Sequence, residues 1–448
     1  MIILFDESSS VRKVLGKQSL PADAGLRIAS FIVREPVENG TAVYHALFKK
    51  MILLTPEEDR AFTSIDRNAP LFQTFAEEYF YVPEGFDEIA AVDQVRDVLR
   101  LIAKPEPLHR FVVLPTTDCN ARCFYCYEAG CEKSWMTLET ADRVASFMKE
   151  SAKGKEIKIT WFGGEPTYRG EVIDRITARL TELGADFTSD MISNAYLFDE
   201  EMAEKAVNAW RLKTIQITLD GTENVYNRRK AYIYREGSAF HRVIRNIGLL
   251  ANKGVKVNVR LNVDEKNADD LLDLVCFLKD RFGGHPRINV YSRLLYGEME
   301  NPAAYEAYYR VRDALKEAGL TKEGGVSRRF KVNRCMADAL VTAVVLPDGR
   351  LHSCEHFNET GEPWGSIDDT SGQKAAVKKW SELVPKGDQC RDCSFMPDCM
   401  RITRCPVVKG LCSLPEKEMR IRELREGVRT EYERYRTGAK KDSDDEIV

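Results

Sequence analysis

No apolar run in these 448 residues approaches the roughly 20 needed to cross a bilayer. The opening Met1-Ile-Ile-Leu-Phe5 meets Asp6 at once, too short a stretch for a secretory signal. An excess of charge is also missing. With 66 basic and 70 acidic side chains the formal balance is −4, which gives no reason to expect nucleic acid as the main partner. The expectation is a soluble chain of the cytoplasm, with neither membrane nor nucleic acid as a partner. Cysteine is absent from residues 1–107, so all twelve cysteines fall in the remainder. A cytosolic thiol pool would keep them reduced, so no disulfide framework is expected. Hydrophobic residues at 44% and charged ones at 30% are ordinary for a globular protein, and the length allows two or three domains.

What is present falls into four stretches. In residues 1–107, Asn39-Gly40 is a hairpin-type turn. Thr41–Phe48 and Met51–Leu54 read as strands. Thr55-Pro56-Glu57-Glu58 reads as a capped helix start. Hairpin plus helix predicts a small winged-helix-like module, and Lys104-Pro-Glu-Pro107 a linker. In 108–300, β-branched runs at 111–114, 157–161, 187–192, 215–219, 255–263 and 288–291 alternate with helical segments. One of these is 137–149, with Val144, Phe147 and Met148 at helical spacing. This predicts an α/β fold, a partial (β/α)6 TIM barrel, with chemistry at the C-terminal ends of its strands. In 301–415 a bridging region leads into a cysteine-rich segment with a thin core, which would rely on metal for order. In 416–448 a charged helix carries Ile421, Leu424, Val428, Tyr432 and Tyr435 on one face, packed on the surface. A polar tail expected to be disordered follows from Thr437. Cys276, inside the apolar Leu271–Leu278, is expected to be a small buried hydrophobe. Cys131 has no evident place.

The chemistry is carried by two groups of cysteines. Cys119-Asn-Ala-Arg-Cys123-Phe-Tyr-Cys126 puts three thiols on a loop just after the first barrel strand. Zinc sites and common ferredoxins usually take four ligands. Three can hold three irons of a four-iron cubane and leave the fourth open to a small chelating ligand. This spacing, with Tyr125 before the last cysteine, resembles the radical S-adenosylmethionine (SAM) superfamily. In that family a reduced cluster cleaves SAM to a 5′-deoxyadenosyl radical. Trp161-Phe-Gly163-Gly164-Glu165-Pro166 resembles the family's segment that binds the methionine amino group. Glycines allow close backbone approach, and Glu165 offers a carboxylate to an ammonium. The resemblance extends to Ser193-Asn194, and to Thr218-Leu-Asp220-Gly221 followed by Arg228-Arg229. It implies that these, with Arg260 and Asn262, lie around the cofactor. Tyr226-Asn227 stands where the family usually has His-Asp.

The second group reads Cys335, Cys354, Cys390, Cys393, Cys399, Cys405 and Cys412. It resembles the SPASM domain appended to peptide-modifying radical enzymes, with a departure in the spacing between Cys399 and Cys405. The resemblance implies one auxiliary cluster on Cys390, Cys393, Cys399 and Cys412, and another on Cys335, Cys354 and Cys405. With the SAM-binding cluster, that makes three 4Fe-4S clusters. A structural zinc is the alternative for Cys390-x2-Cys393. Glu355, directly after Cys354, stands where sulfatase-maturing relatives have an Asp acting as base, and is the candidate catalytic residue. The implied function is maturation of a ribosomally made peptide whose leader binds residues 1–107. An electron donor such as flavodoxin or ferredoxin would serve it. A thioether cross-link is the expected product. Formylglycine formation, a carbon–carbon cross-link and a non-catalytic electron carrier are the alternatives.

Overall fold

The structure, a computed structural model, describes residues 1–21, 23–322, 324–384, 386–402, 405, 407–408 and 410–438. The chain opens with β1 (Ile2–Asp6), α1 (Ser9–Leu15), β2 (Leu26–Ile28), β3 (Ile32–Val37), β4 (Gly40–His45) and β5 (Lys50–Leu54). There follow α2 (Pro56–Thr63), α3 (Phe72–Glu77), β6 (Tyr81–Pro83) and α4 (Glu88–Ile102). The expected hairpin is the β3–β4 pair, turning at Glu38-Asn39. The expected helix cap is present too. Glu58 N–H donates to Thr55 Oγ1 at 3.3 Å, and Thr55 N–H donates back to Glu58 Oε2 at 2.9 Å.

These elements build an antiparallel sheet in the order β1-β5-β4-β3, wider than a lone hairpin wing. Its two central strands are buried on both faces, which explains their nearly unbroken apolar sequence. Val43 and Ile52 point to one side, against Phe62 and Phe75 of α2 and α3. Ala42, Tyr44, Met51 and Leu53 point to the other, as the two-residue period requires.

The second unit is the six-fold strand–helix repeat read from the sequence. Its elements are β7 (Arg110–Val113), α5 (Leu138–Ala152), β8 (Ile157–Trp161), α6 (Gly170–Glu182), β9 (Phe187–Ser193), α7 (Glu200–Asn208) and β10 (Leu212–Leu219). Then come α8 (Glu223–Lys230), α9 (Ala239–Asn252), β11 (Lys256–Val263), α10 (Ala268–Phe282), β12 (Ile288–Leu294) and α11 (Pro302–Glu317). Strands β7 to β12 are parallel and adjacent in chain order. The sheet is open, ending at β12 on one side. On the other it continues through β13 (Thr342–Val345), β14 (Arg350–His352) and β15 (Gly365–Ser366). β13 pairs with β7 in parallel, so residues far along the chain extend the central sheet.

One expectation fails here. Cys276 is exposed rather than buried. The buried stripe of α10 runs through Leu271, Leu274, Val275, Leu278 and Phe282, and position 276 falls one residue outside it.

The chain ends with α12 (Gln373–Ser381) and α13 (Leu414–Thr437). α13 lies on β3 and β4 through Leu424, Val428 and Tyr432, while Tyr435 stands exposed near its end. Arg425 and Arg429 of this helix reach the buried Glu35 of β3 at 2.6 and 2.7 Å. The polar tail beyond Gly438 lies outside the described residues. Among the described residues, no helix is long and apolar enough to cross a membrane.

The first and last regions are joined by a buried ion pair. Lys49, in the β4–β5 turn and fully buried, reaches Asp398 at 2.6 Å. Removing one partner of such a pair strands the other charge, typically at about 3–5 kcal/mol. Lys49→Ala should therefore lower the urea midpoint of the anaerobic protein, and adding Asp398→Ala should restore much of it.

Candidate active site

The loop after β7 carries Cys119, Cys123 and Cys126, and a second loop, after β8, lies directly on it. Gly164 N–H donates to Thr116 O at 3.2 Å and Glu165 N–H to Asp118 O at 3.0 Å. A Cβ at Gly163 would sit 2.3 Å from Thr116 O, and one at Gly164 would sit 2.3 Å from Asp118 O. Gly163 also has φ +109°, which L side chains rarely adopt. Both glycines are thus required by backbone contact alone. Pro166 then opens a short helical turn capped by Glu165.

The Glu165 carboxylate is fully buried and bonded by its own loop and the next. Thr167 donates its N–H at 3.1 Å and its hydroxyl, Ser193 its hydroxyl at 2.8 Å, and Asn194 its N–H at 2.7 Å. Burial pushes the Glu165 carboxyl above its usual range, and these donors hold it back. Asn194 turns its side-chain amide to Asn120 of the cysteine loop at 2.7 Å.

Asp220, at the end of β10, is the second buried carboxylate. It accepts from the Tyr125 hydroxyl, from Asn262 Nδ2 at 3.0 Å and from Lys230 Nζ at 3.1 Å. Lys230 also donates to the Tyr125 hydroxyl at 2.8 Å and to Thr218 at 2.6 Å. Burial opposes its charge, but Asp220 and Tyr125 outweigh burial and hold its proton. Sequence reading missed Lys230. Its only signal was its place right after Arg228-Arg229. Arg229 itself pairs with Asp264 at 2.6 Å. Tyr226 is a core residue bonded to the Tyr232 hydroxyl, and Asn227 caps α9 through Phe240 N–H. Arg260 is half-buried, and its Nε finds no acceptor among the described residues.

The three loop thiols crowd one another. Burial pushes Cys119 up to about 12, with Glu165, Cys123 and Cys126 adding to the effect. Burial likewise raises Cys126, beside Glu128, Cys123 and Cys131. Three thiols gathered on one loop suit a polynuclear cation that neutralises their thiolates together, so the donor set fits a three-ligand iron–sulfur cluster.

The C-terminal thiols form two neighbourhoods. Cys354 is pushed up to about 12, by burial first, then by Glu355, Cys335 and Cys405. Cys393 is pushed up to about 11, by burial first, with Cys399 and Cys412 nearby, and Cys399 in turn feels Cys412 and Cys390. No group of three His, Cys, Asp or Glu among the described residues is arranged to hold a single metal ion. A cubane is wider than one ion and takes its thiolates further apart.

Between the two thiol regions a cluster of aromatic and acidic side chains gathers near Cys126 and Cys354. His356, next to Glu355, stacks on Tyr127 at 4.2 Å, and Tyr296 closes on His356 at 5.6 Å. Burial raises the Glu355 carboxyl, while His356 and Arg260 oppose that. Glu128, two residues after Cys126, is pushed up to about 7 by burial and by Glu355. Sequence reading also missed Glu128, because a lone Glu after a cysteine motif reads as a surface residue. Asn358 Nδ2 contacts the Cys131 thiol.

The site is thus a loop of three thiols at the C-terminal end of the first strand of a parallel sheet, closed over by Gly163-Gly164-Glu165-Pro166. The model of the Radical SAM superfamily matches residues 113–278, which span β7 to α10. Residues 113–278 thus form a radical SAM domain. It is 24% identical over 182 residues to the Fe-coproporphyrin III synthase of Methanosarcina barkeri, covering 41% of this chain and 43% of that one. It is 25% identical over 161 residues to the sporulation killing factor maturation protein SkfB of Bacillus subtilis, covering 36% and 37%. The chain therefore spans less than half the length of either relative. The solved structure of anSMEcpe with bound AdoMet has the same fold, with a TM-score of 0.57 at 17% identity over 73% of this chain and 99% of that one.

Lys230→Met should leave Asp220 buried and unpaired and lower stability by about 3 kcal/mol or more. Combining it with Asp220→Asn should recover most of that loss in the same chemical denaturation series.

Proposed function

We propose that this enzyme matures a ribosomally made peptide, joining a substrate cysteine sulfur to a carbon as a thioether. The grouping of the seven C-terminal thiols into a set of three and a set of four supports the two auxiliary-cluster sites that this reading requires. Cys119, Cys123 and Cys126 would hold the SAM-binding cluster. Cys390, Cys393, Cys399 and Cys412 would hold one auxiliary cluster, and Cys335, Cys354 and Cys405 the other, where one iron lacks a protein thiol. When bound, the clusters and SAM supply a 5′-deoxyadenosyl radical that takes a hydrogen atom and a sink for the electron left as the carbon–sulfur bond forms.

The protein's own part is placement and proton handling. The 163–166 turn, with Ser193 and Asn194, would hold the methionine end of SAM, and Tyr125, Asp220, Asn262 and Arg260 would contribute to the same site. Glu355 takes the proton released by the substrate thiol. SkfB is by name a maturation protein, which accords with a peptide substrate. Residues 1–107 form the leader-binding element, a winged-helix-like module in this reading. β1 and β3 end its sheet, and Ile2 and Ile3 of β1 are 48% and 50% exposed. An extended leader would pair along such an edge. A flavodoxin or ferredoxin supplies the electron.

Three four-iron clusters amount to on the order of 12 irons per reconstituted chain. Stoichiometric zinc in place of the C-terminal iron would refute the auxiliary-cluster assignment. Replacing Cys119, Cys123 and Cys126 together with Ala should abolish 5′-deoxyadenosine formation and spare the auxiliary iron. The decisive measurement is tandem mass spectrometry of a cysteine-containing peptide encoded beside this gene, after incubation with enzyme, SAM and reductant. A thioether makes the product lighter by two hydrogens and removes one iodoacetamide-reactive thiol. Loss of sulfur would mean formylglycine instead. A product lighter by two hydrogens with every thiol still reactive would mean a carbon–carbon link.

A further inference from the structure

Apolar side chains gather on the exposed side of the cysteine loop. Phe124, between Cys123 and Tyr125, is 67% exposed, and Ile233 and Tyr234 are 42% and 38% exposed. Their two segments are laced together by the backbone. Arg122 N–H donates to Lys230 O at 2.8 Å, and Ile233 N–H donates to Asn120 O at 2.9 Å. Ala231 makes this approach possible. At the end of α8 it adopts φ +46°, in the left-handed region, and turns the chain off the helix and along the cysteine loop. The rings are held in place. Tyr234 stacks on Tyr196 at 4.9 Å, and the Arg229 guanidinium lies 4.9 Å from the Phe124 ring. One exposed apolar residue is ordinary, but three on two segments bonded to each other mark a contact surface.

The exposed charge on these segments is mainly positive. Residues 224–235 hold four cations, Arg228, Arg229, Lys230 and Arg235, and no acid, in a chain whose overall balance is −4. Arg229 and Lys230 are buried and paired with Asp264 and Asp220. Arg228 and Arg235 are exposed and form no ion pair among the described residues. Glu236, next in sequence, is exposed as well.

We propose that Phe124, Ile233 and Tyr234, flanked by Arg228 and Arg235, form the docking surface of the electron donor, a small acidic one-electron carrier protein. This rests on the reading of Cys119, Cys123 and Cys126 as ligands of the SAM-binding cluster, and adds the place where the electron enters. The carrier is oxidised by one electron and the cluster is reduced by one. No atom is transferred, so the contact needs only to bring two redox groups close together. A carrier seated on Phe124 lies one residue from a cluster ligand. Apolar side chains at the centre supply contact area, and the unpaired cations beside them draw in a partner of opposite charge. Such steering acts through solvent and weakens as salt is raised.

The test uses the iron-loaded full chain under anaerobic conditions. The probes are a purified flavodoxin and a purified ferredoxin, with dithionite as a reductant too small to need docking. By calorimetry at least one carrier should bind the parent enzyme, more weakly as salt is raised. Ile233→Ser combined with Arg235→Glu should weaken that binding at least about tenfold, as loss of one apolar anchor and reversal of one charge allow. Carrier-driven 5′-deoxyadenosine formation should fall with it, while iron content and the dithionite-driven rate stay those of the parent. Arg235→Lys alone should bind the carrier as the parent does. The proposal is overturned if neither carrier binds a parent enzyme that dithionite activates, or if the double variant binds the carrier unchanged. It is overturned too if the double variant loses affinity for the gene-neighbour peptide instead, or if sedimentation shows that it has split a parent dimer. A parent enzyme that makes no 5′-deoxyadenosine even with dithionite sinks the cluster reading itself.

Discussion

A carboxylate cut off from water must be met by donors, and in this enzyme meeting one of them fixes three loops. Glu165 is bonded by Thr167 of its own turn and by Ser193 and Asn194 from the end of β9, while its backbone N–H bonds the cysteine loop at Asp118. Any of these loops could move only by stranding a buried charge. Asp220 repeats the device one strand further on, with Tyr125 of the cysteine loop and Lys230 of α8 as partners. The cysteine loop is thus clamped from two sides by buried polar contacts rather than by apolar packing. Apolar packing tolerates small slips. A hydrogen-bonded charge in a dry site does not, so the three thiols of the cysteine loop are held in place with high positional fidelity.

The same device joins the outer regions. The N-terminal sheet and the cysteine-rich segment share a core in which Phe5, Tyr44 and Met51 meet Met396 and the partly buried Cys393 and Cys399. The Lys49–Asp398 pair lies at that junction. Arg334 adds to it, donating to the carbonyl of Cys399 at 3.0 Å from a buried position. Asp398 and Arg334 each adjoin a cysteine of the C-terminal group. These contacts tie the N-terminal sheet directly to the backbone that carries those thiols.

Periodicity and spacing made most of this legible. Six β-branched runs gave the parallel strands because strands covered on both faces need continuous apolar sequence. The C-x3-C-x2-C loop and the Gly163-Gly164 turn were legible because the chemistry allows few substitutes. The wider N-terminal sheet was not, since β1 is a short edge strand whose partner, β5, lies more than forty residues further along the chain. Cys276 was misplaced because an apolar run does not say which residue of a helix falls off the buried stripe. Lys230 and Glu128 escaped notice for one shared reason. A charged residue is assigned to the surface by default, and only a tertiary contact, or the lack of one, shows otherwise.

The pairing of β13 with β7 bears on how the chain comes to fold. Arg110 and Thr342 are partners in that ladder, about 230 positions apart in sequence. During synthesis the first barrel strand therefore emerges long before its outer neighbour. Until then it presents an open row of amide and carbonyl groups next to the loop of three thiols, a template for mispairing with other chains. Closure of the central sheet must wait for the cysteine-rich region to arrive. A nascent chain stalled short of residue 342 would hold the six parallel strands with β7 left as an unpaired margin, open to mispairing until β13 arrives.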